Sequence, residues 1–91
     1  MNAREIIRAV ADYHGTTVDR IMFGGRPKSL AAARHDAMWL LRIIAGMSYP
    51  ETARAVGLRN HTSAMHGVEM AVQRNASSPG RGEALLALVT T

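Results

Sequence analysis

The sequence predicts an all-α protein, a compact bundle of about six helices. Three observations carry that prediction. Apolar residues make up 47% of the 91-residue chain but aromatics only 4%, so the core must be built from Leu, Ile, Val, Ala and Met. The apolar residues recur at helical spacing, i, i+3, i+4 and i+7. Helix-capping and helix-stopping residues punctuate the chain densely, and no stretch combines strand alternation with turn chemistry.

Taken in order, Asn2 with Glu5 forms a capping-box start, and Ile6, Ile7, Val10 and Ala11 fall on one stripe of the first helix. Gly15 is the expected stop. Thr16 or Thr17 caps a short second helix that runs through Ile21 and Met22. Residues 24 to 28 (Gly-Gly-Arg-Pro-Lys) form a basic loop, because two glycines loosen the backbone and Pro27 removes a donor. Ser29 is expected to cap the longest helix, Leu30 to Ala45, with Leu30, Ala33, Ala37, Leu40, Leu41 and Ile44 inward and Gly46 at its end. Ser48 and Glu51 make a second capping box, with Pro50 in the first turn where its missing N–H is harmless. That short helix reaches Val56 and stops at Gly57. Asn60 or His61 opens the next, with Ala64, Met65, Val68, Ala71 and Val72 inward. Residues 75 to 82 read as a loop, and Glu83 to Val89 as a last short helix. The length fits one domain over 1–91.

The net charge is +4, and its placement is informative. Residues 20 to 42 hold Arg20, Arg26, Lys28, Arg34 and Arg42 against Asp36 alone, while the six cations and six anions elsewhere cancel. A localised cationic segment points to a polyanionic partner, nucleic acid first, with a solvated basic surface as the plain alternative. There is no cysteine, so neither disulfides nor thiolate metal sites are available. The N-terminus carries an acid and lacks the basic start and apolar block of a signal peptide, and no apolar run is long enough to span a bilayer. These features place the chain in the cytoplasm, with no membrane association.

Residues 48 to 74 carry the most specific pattern. A short capped helix, a tight connection at Gly57, Leu58 and Arg59, and a second helix match a helix-turn-helix. In that motif the start of the second helix faces base edges in the major groove. Here the start is Asn60, His61, Thr62 and Ser63, all short or planar polar groups. The exposed face continues through His66, Gly67 and Met70. Arg59 stands where it can clamp a phosphate. Asn, Ser and Thr at a helix start are also ordinary caps. His61 and His66 lie five apart, on different faces, so no metal site is expected; His14 and His35 read as surface residues, Met38, Met47, Met65 and Met70 as core filler, and Tyr13 and Trp39 as core or core-edge residues. No nucleophile, base and orienter share a pattern, so the chain is read as a binding protein without enzymatic activity and without cofactors.

The run from Gly57 to His66 (Gly-Leu-Arg-Asn-His-Thr-Ser-Ala-Met-His) resembles the Gly-Gly-Arg-Asp-His-Thr-Thr-Val-x-His signature of the C-terminal DNA-binding domain, domain IV, of the bacterial replication initiator DnaA. Val10-Ala11-Asp12-Tyr13 is similar to that family's first-helix Val-Ala-x-Tyr-Phe. The segment Arg34-His35-Asp36-Ala37-Met38-Trp39-Leu40 is similar to its Arg-Gln-x-Ala-Met-x-Leu, and Ser48-Tyr49-Pro50-Glu51 to its Ser-Leu-x-Glu. The resemblance covers about residues 4 to 74. It implies a Trp-repressor-like helical fold and sequence-specific binding of double-stranded DNA at DnaA-box-like sites, in initiation or regulation of replication. By position, Arg26 enters the minor groove, Arg34 contacts phosphate or a base, Asn60, His61, Thr62 and Ser63 read the major groove, and Lys28 and Arg59 hold the backbone. The chain departs from the family in having Asn60 for Asp, His35 for Gln, Ser63 for Thr, and Gly24 and Gly25 where further cations are usual. Without a Gly-x-x-x-x-Gly-Lys-Ser/Thr loop no ATPase activity is expected. A protein-interaction module of the same fold, binding an initiator or another replication protein, is the alternative. The resemblance implies a monomer at the nucleoid, and the Met1 start suits a free-standing protein as well as a detached fragment.

Overall fold

A computed structural model describes residues 1–25 and 27–90. Six helices follow one another: α1 (Ala3–His14), α2 (Val18–Phe23), α3 (Lys28–Ile43), α4 (Tyr49–Ala55), α5 (His61–Ser77) and α6 (Arg81–Ala87), with no strand among the described residues. The all-α expectation holds, and both capping boxes form. Asn2 accepts from the Glu5 N–H at 2.9 Å, and Ser48 from the Glu51 N–H at 3.2 Å, with each glutamate returning a bond to the cap backbone. Thr17 rather than Thr16 caps α2, accepting from the Arg20 N–H at 3.1 Å.

α3 is the central element. It packs against α1 on one side and α5 on the other, and it touches α2, α4 and α6 as well. One aliphatic cluster, with Ile6, Val10, Ile21, Leu40, Leu41, Val56 and Leu85 fully buried, joins residues of all six helices. Each such side chain contributes about 1.5–3 kcal/mol on burial.

Several boundaries and faces differ from the sequence reading. α3 starts at Lys28, with extended Pro27 as its N-cap and no side-chain cap. Pro27 already fixes φ near the helical value, so Ser29 falls inside the first turn instead of capping it. α3 ends two residues early, because the Met47 N–H folds back onto the Leu41 carbonyl at 3.2 Å. Ile44 therefore turns outward to 37% exposure instead of lying in the stripe. α5 runs on through Asn75, Ala76 and Ser77, which hold no helix breaker, until Ser78, the residue before Pro79, is forced extended; α6 accordingly begins at Arg81. The inward face of α5 is Ala64, Gly67 and Ala71, leaving Met65 and Val72 outside at 46% and 49% exposure. Small residues win that face because α3 approaches closely. A Cβ on Gly67 would strike the Met38 thioether, so Gly67 is a buried packing contact and not part of the exposed face. Tyr13 also lies outside, 49% exposed, with its ring edge-on to His14.

Polar links reinforce α3 at three successive residues. Arg34 is buried, donating from Nε to the Ile21 carbonyl at 2.8 Å and from Nη2 to the Arg20 carbonyl at 3.4 Å, which ties α2 to α3. His35 accepts from Arg74 Nη1 at 2.8 Å, tying α3 to α5. Asp36, fully buried, accepts a two-pronged bond from Arg81 at 2.8 and 2.9 Å and another from His14 Nε2 at 2.7 Å, tying α6 and α1 to α3.

Candidate nucleic-acid interface

α4 and α5 pack together across the tight turn at residues 56–60, so the helix-turn-helix expected from the sequence is present. The turn depends on Gly57, whose φ of +78° suits only a residue without a Cβ. It depends on space as well. A Cβ there would run into the Met22 carbonyl, so the turn lies directly on the backbone at the end of α2. This contact joins the helix-turn-helix to the segment that leads into the basic loop.

Asn60 caps α5. Its Oδ1 accepts from the Thr62 N–H at 2.8 Å, which leaves the amide NH₂ as its outward group. His61 and Thr62 are exposed and Ser63 is half-buried. A groove of about 500 Å³ runs between this helix start and α3. Thr62, Ser63 and His66 form one side, Pro27, Ala31 and His35 the other, with Met38 and Leu58 also lining it. A second concavity continues past the turn, bordered by Phe23 and Gly25 of the loop side and by Arg59 and Asn60 of the helix side. The described loop residues Gly25 and Pro27 and the start of α5 thus meet on one face of the molecule.

The cations named from the sequence separate in space. Lys28 and Arg59 are exposed, Lys28 at the start of α3 and Arg59 beside Asn60. Arg26 lies outside the described residues. Arg34 is 7% exposed and serves the carbonyls at the end of α2, although it also lines both concavities. Arg42 lies fourteen residues beyond Lys28 on α3, about 21 Å along the axis. It bonds the Met47 carbonyl at 2.7 Å and covers the Tyr49 ring at 4.1 Å, linking α3 to α4. The charged segment read from the sequence is therefore not one continuous patch.

Two further groups at the groove escape a reading of the sequence. His35 is not a surface residue. Its ring stands edge-on to His66, 6.0 Å between centroids. Burial first, then the Arg74 guanidinium, pushes its pKa from the ordinary 6.5 down to about 4. The bond from Arg74 requires a neutral ring with Nδ1 accepting, so the proton sits on Nε2. The signal for this is the pair His35 and Arg74, but nothing in a sequence joins residues 39 apart. Phe23 carries no signal beyond its place at the end of a short helix. Among the described residues no three His, Cys, Asp or Glu converge as metal ligands, and no helix is long and apolar enough to cross a membrane.

The fold and this face define a helix-turn-helix domain of the six-helix kind. Residues 3–70 match the family described as bacterial dnaA protein helix-turn-helix. The chain is 35% identical over 82 residues to the chromosomal replication initiator protein DnaA of Thermus thermophilus, covering 90% of this chain and 19% of that protein. Against the protein of the same name from Dechloromonas aromatica it is 38% identical over 64 residues, 70% of this chain and 14% of the other. Against that of Bifidobacterium animalis subsp. lactis it is 42% identical over 62 residues, 68% and 11%. The chain belongs to the bacterial DnaA helix-turn-helix family, and it spans no more than about a fifth of the length of these relatives.

Proposed function

We propose that this chain binds double-stranded DNA in a sequence-specific way at DnaA-box-like sites, at the nucleoid, in initiation or regulation of replication, as a monomeric binding domain without ATPase activity. The observation that carries the reading is the meeting of two features on one face: the exposed polar start of α5 and the basic loop, linked through the Gly57 turn. A helix start of that chemistry fits the major groove, and a loop beside it falls at the neighbouring minor groove. His61 and Thr62 read base edges, with Ser63 at the groove rim. Asn60 caps its helix through oxygen and donates to a base through nitrogen. Lys28 and Arg59 hold phosphates, Arg26 enters the minor groove, and Arg34 frames the interface by fixing α2. Family membership supports the same assignment.

Fluorescence anisotropy with a box-containing duplex and a scrambled one, over a salt series, tests the reading. Preference for the box at every salt, with affinity falling as salt rises, is expected. Equal affinity for both duplexes defeats sequence reading, and no affinity for either defeats the proposal. A second reading, a module of the same fold that binds an initiator or other replication protein, is favoured by Met65 and Val72, which leave apolar surface on the outside of α5. Retention of a purified initiator that is lost in Met65→Asp, with duplex binding unaltered, would support it.

A further inference from the structure

Phe23 is 74% exposed, more than any other large apolar side chain among the described residues. The exposure follows from helix geometry. Ile21 is the buried residue of α2, and a residue two positions later points about 200° around the axis, away from the core. The side chain is nevertheless well placed. It ends α2 just before the loop, and Gly24 after it donates its N–H to the Arg20 carbonyl at 2.9 Å, at a point where an added Cβ would strike that carbonyl and Leu30. Phe23 borders the same concavity as Gly25 on the loop side and Arg59 and Asn60 on the helix side.

On the duplex-binding reading, the start of α5 occupies the major groove and the loop the adjacent minor groove. Between them runs a sugar–phosphate ridge whose deoxyribose faces are apolar. The segment 24–28, the loop with the first residue of α3, holds only two cations, so its Coulombic grip is modest and an apolar contact has room to matter. We infer that Phe23 is a DNA-contacting residue that packs its ring on the deoxyribose walls at the mouth of the minor groove, beside the loop. Apolar side chains, Phe among them, are used at minor grooves elsewhere as wedges between base steps; the contact inferred here is with the sugars instead. Such a contact adds affinity without releasing a counterion, and that gives it a signature distinct from a lysine or arginine. The inference rests on the duplex-binding reading and fails separately from it.

The test uses the whole chain and a labelled duplex carrying the site that the wild type prefers, titrated over a salt series, with Phe23→Ala, Phe23→Leu and Lys28→Ala. Removing a ring that becomes buried weakens binding roughly tenfold, and Phe23→Ala does so at every salt with an unchanged slope of log affinity against log salt. Phe23→Leu keeps part of the affinity, and remains informative if the alanine variant unfolds. Lys28→Ala lowers the slope by about 0.9. Wild-type affinity in Phe23→Ala, with Lys28→Ala weakened, overturns the inference and leaves the duplex-binding reading intact. A wild-type dimer in sedimentation that Phe23→Ala abolishes without changing DNA affinity also overturns it, by assigning the ring to self-association. No duplex binding by the wild type overturns both.

Discussion

Arg81→Ala should be the most damaging single change outside the apolar core. Asp36 is completely buried, and Arg81 supplies two of its three bonds, at 2.8 and 2.9 Å; His14 supplies the third, at 2.7 Å. Deleting the guanidinium leaves a carboxylate in the interior with one partner and also frees Asn75 Oδ1, which accepts from Arg81 at 2.7 Å. Removing one member of a buried pair costs about 3–5 kcal/mol. Arg81 itself is 17% exposed, so water reaches the vacated space and the lower end, about 3 kcal/mol, applies. For a domain of this size that corresponds to a fall in Tm of roughly 12–24 °C. Urea unfolding at neutral pH, followed by far-ultraviolet circular dichroism and by Trp39 fluorescence, measures it. The double variant Asp36→Leu with Arg81→Met should recover most of the loss, since an apolar pair of similar volume needs no desolvation of charge. A loss below about 1 kcal/mol in Arg81→Ala would show that the ion cluster is not what holds α6 to the core.

Four further outcomes are expected. Gly57→Ala meets both a positive φ and the Met22 carbonyl; it should destabilise by more than about 1–2 kcal/mol, and it should weaken duplex binding beyond what the unfolded fraction explains, as anisotropy on the folded protein will show. His35 is held at about 4 in the folded state against 6.5 when exposed, so the unfolded chain binds its proton first. Stability is full above pH 6.5 and declines as pH falls toward 4, on the order of 1–2 kcal/mol once solvent screening of the half-buried ring is discounted; His35→Gln should flatten urea midpoints measured across that window. Asn60→Asp keeps the cap and the urea midpoint but changes base preference in selection from random duplexes, whereas Asn60→Ala costs about 1 kcal/mol of stability through the lost cap. His61 is exposed, so His61→Ala should leave the urea midpoint nearly unaltered and weaken specific binding by about 1–3 kcal/mol; scrambled duplex serves as the comparison.

Much of the fold is legible in the sequence because its signals are local. Two capping boxes, a glycine stop after α1 and the α4–turn–α5 pattern each rest on residues a few positions apart, and each stands where the sequence puts it. The differences arise where distant chain segments decide the outcome. Met65 and Val72 have the hydrophobicity of core residues, yet the close approach of α3 selects Gly67 and Ala71 for the inner face. The polar start of α5 is readable from residue type, but the double duty of Asn60 needs its cap geometry. The charge segment misleads, because a count of cations cannot show that Arg34 and Arg42 spend their guanidinium groups on main-chain carbonyls. His35 is unreadable for the same reason: its state is set by Arg74, far along the chain.

The backbone-to-backbone seating of Gly57 on Met22 has a consequence for how such a protein can change its target. The separation between the start of α5 and the end of α2, which leads into the loop, is set at this contact by main chain, not by any side chain proposed to touch a base. Residues at either point can then be exchanged without altering the phase of one relative to the other along the DNA axis. Variants with new base preferences at positions 61–63 should therefore keep the same footprint length, and a shift in that length should require a change at position 57 or in the chain leading to it.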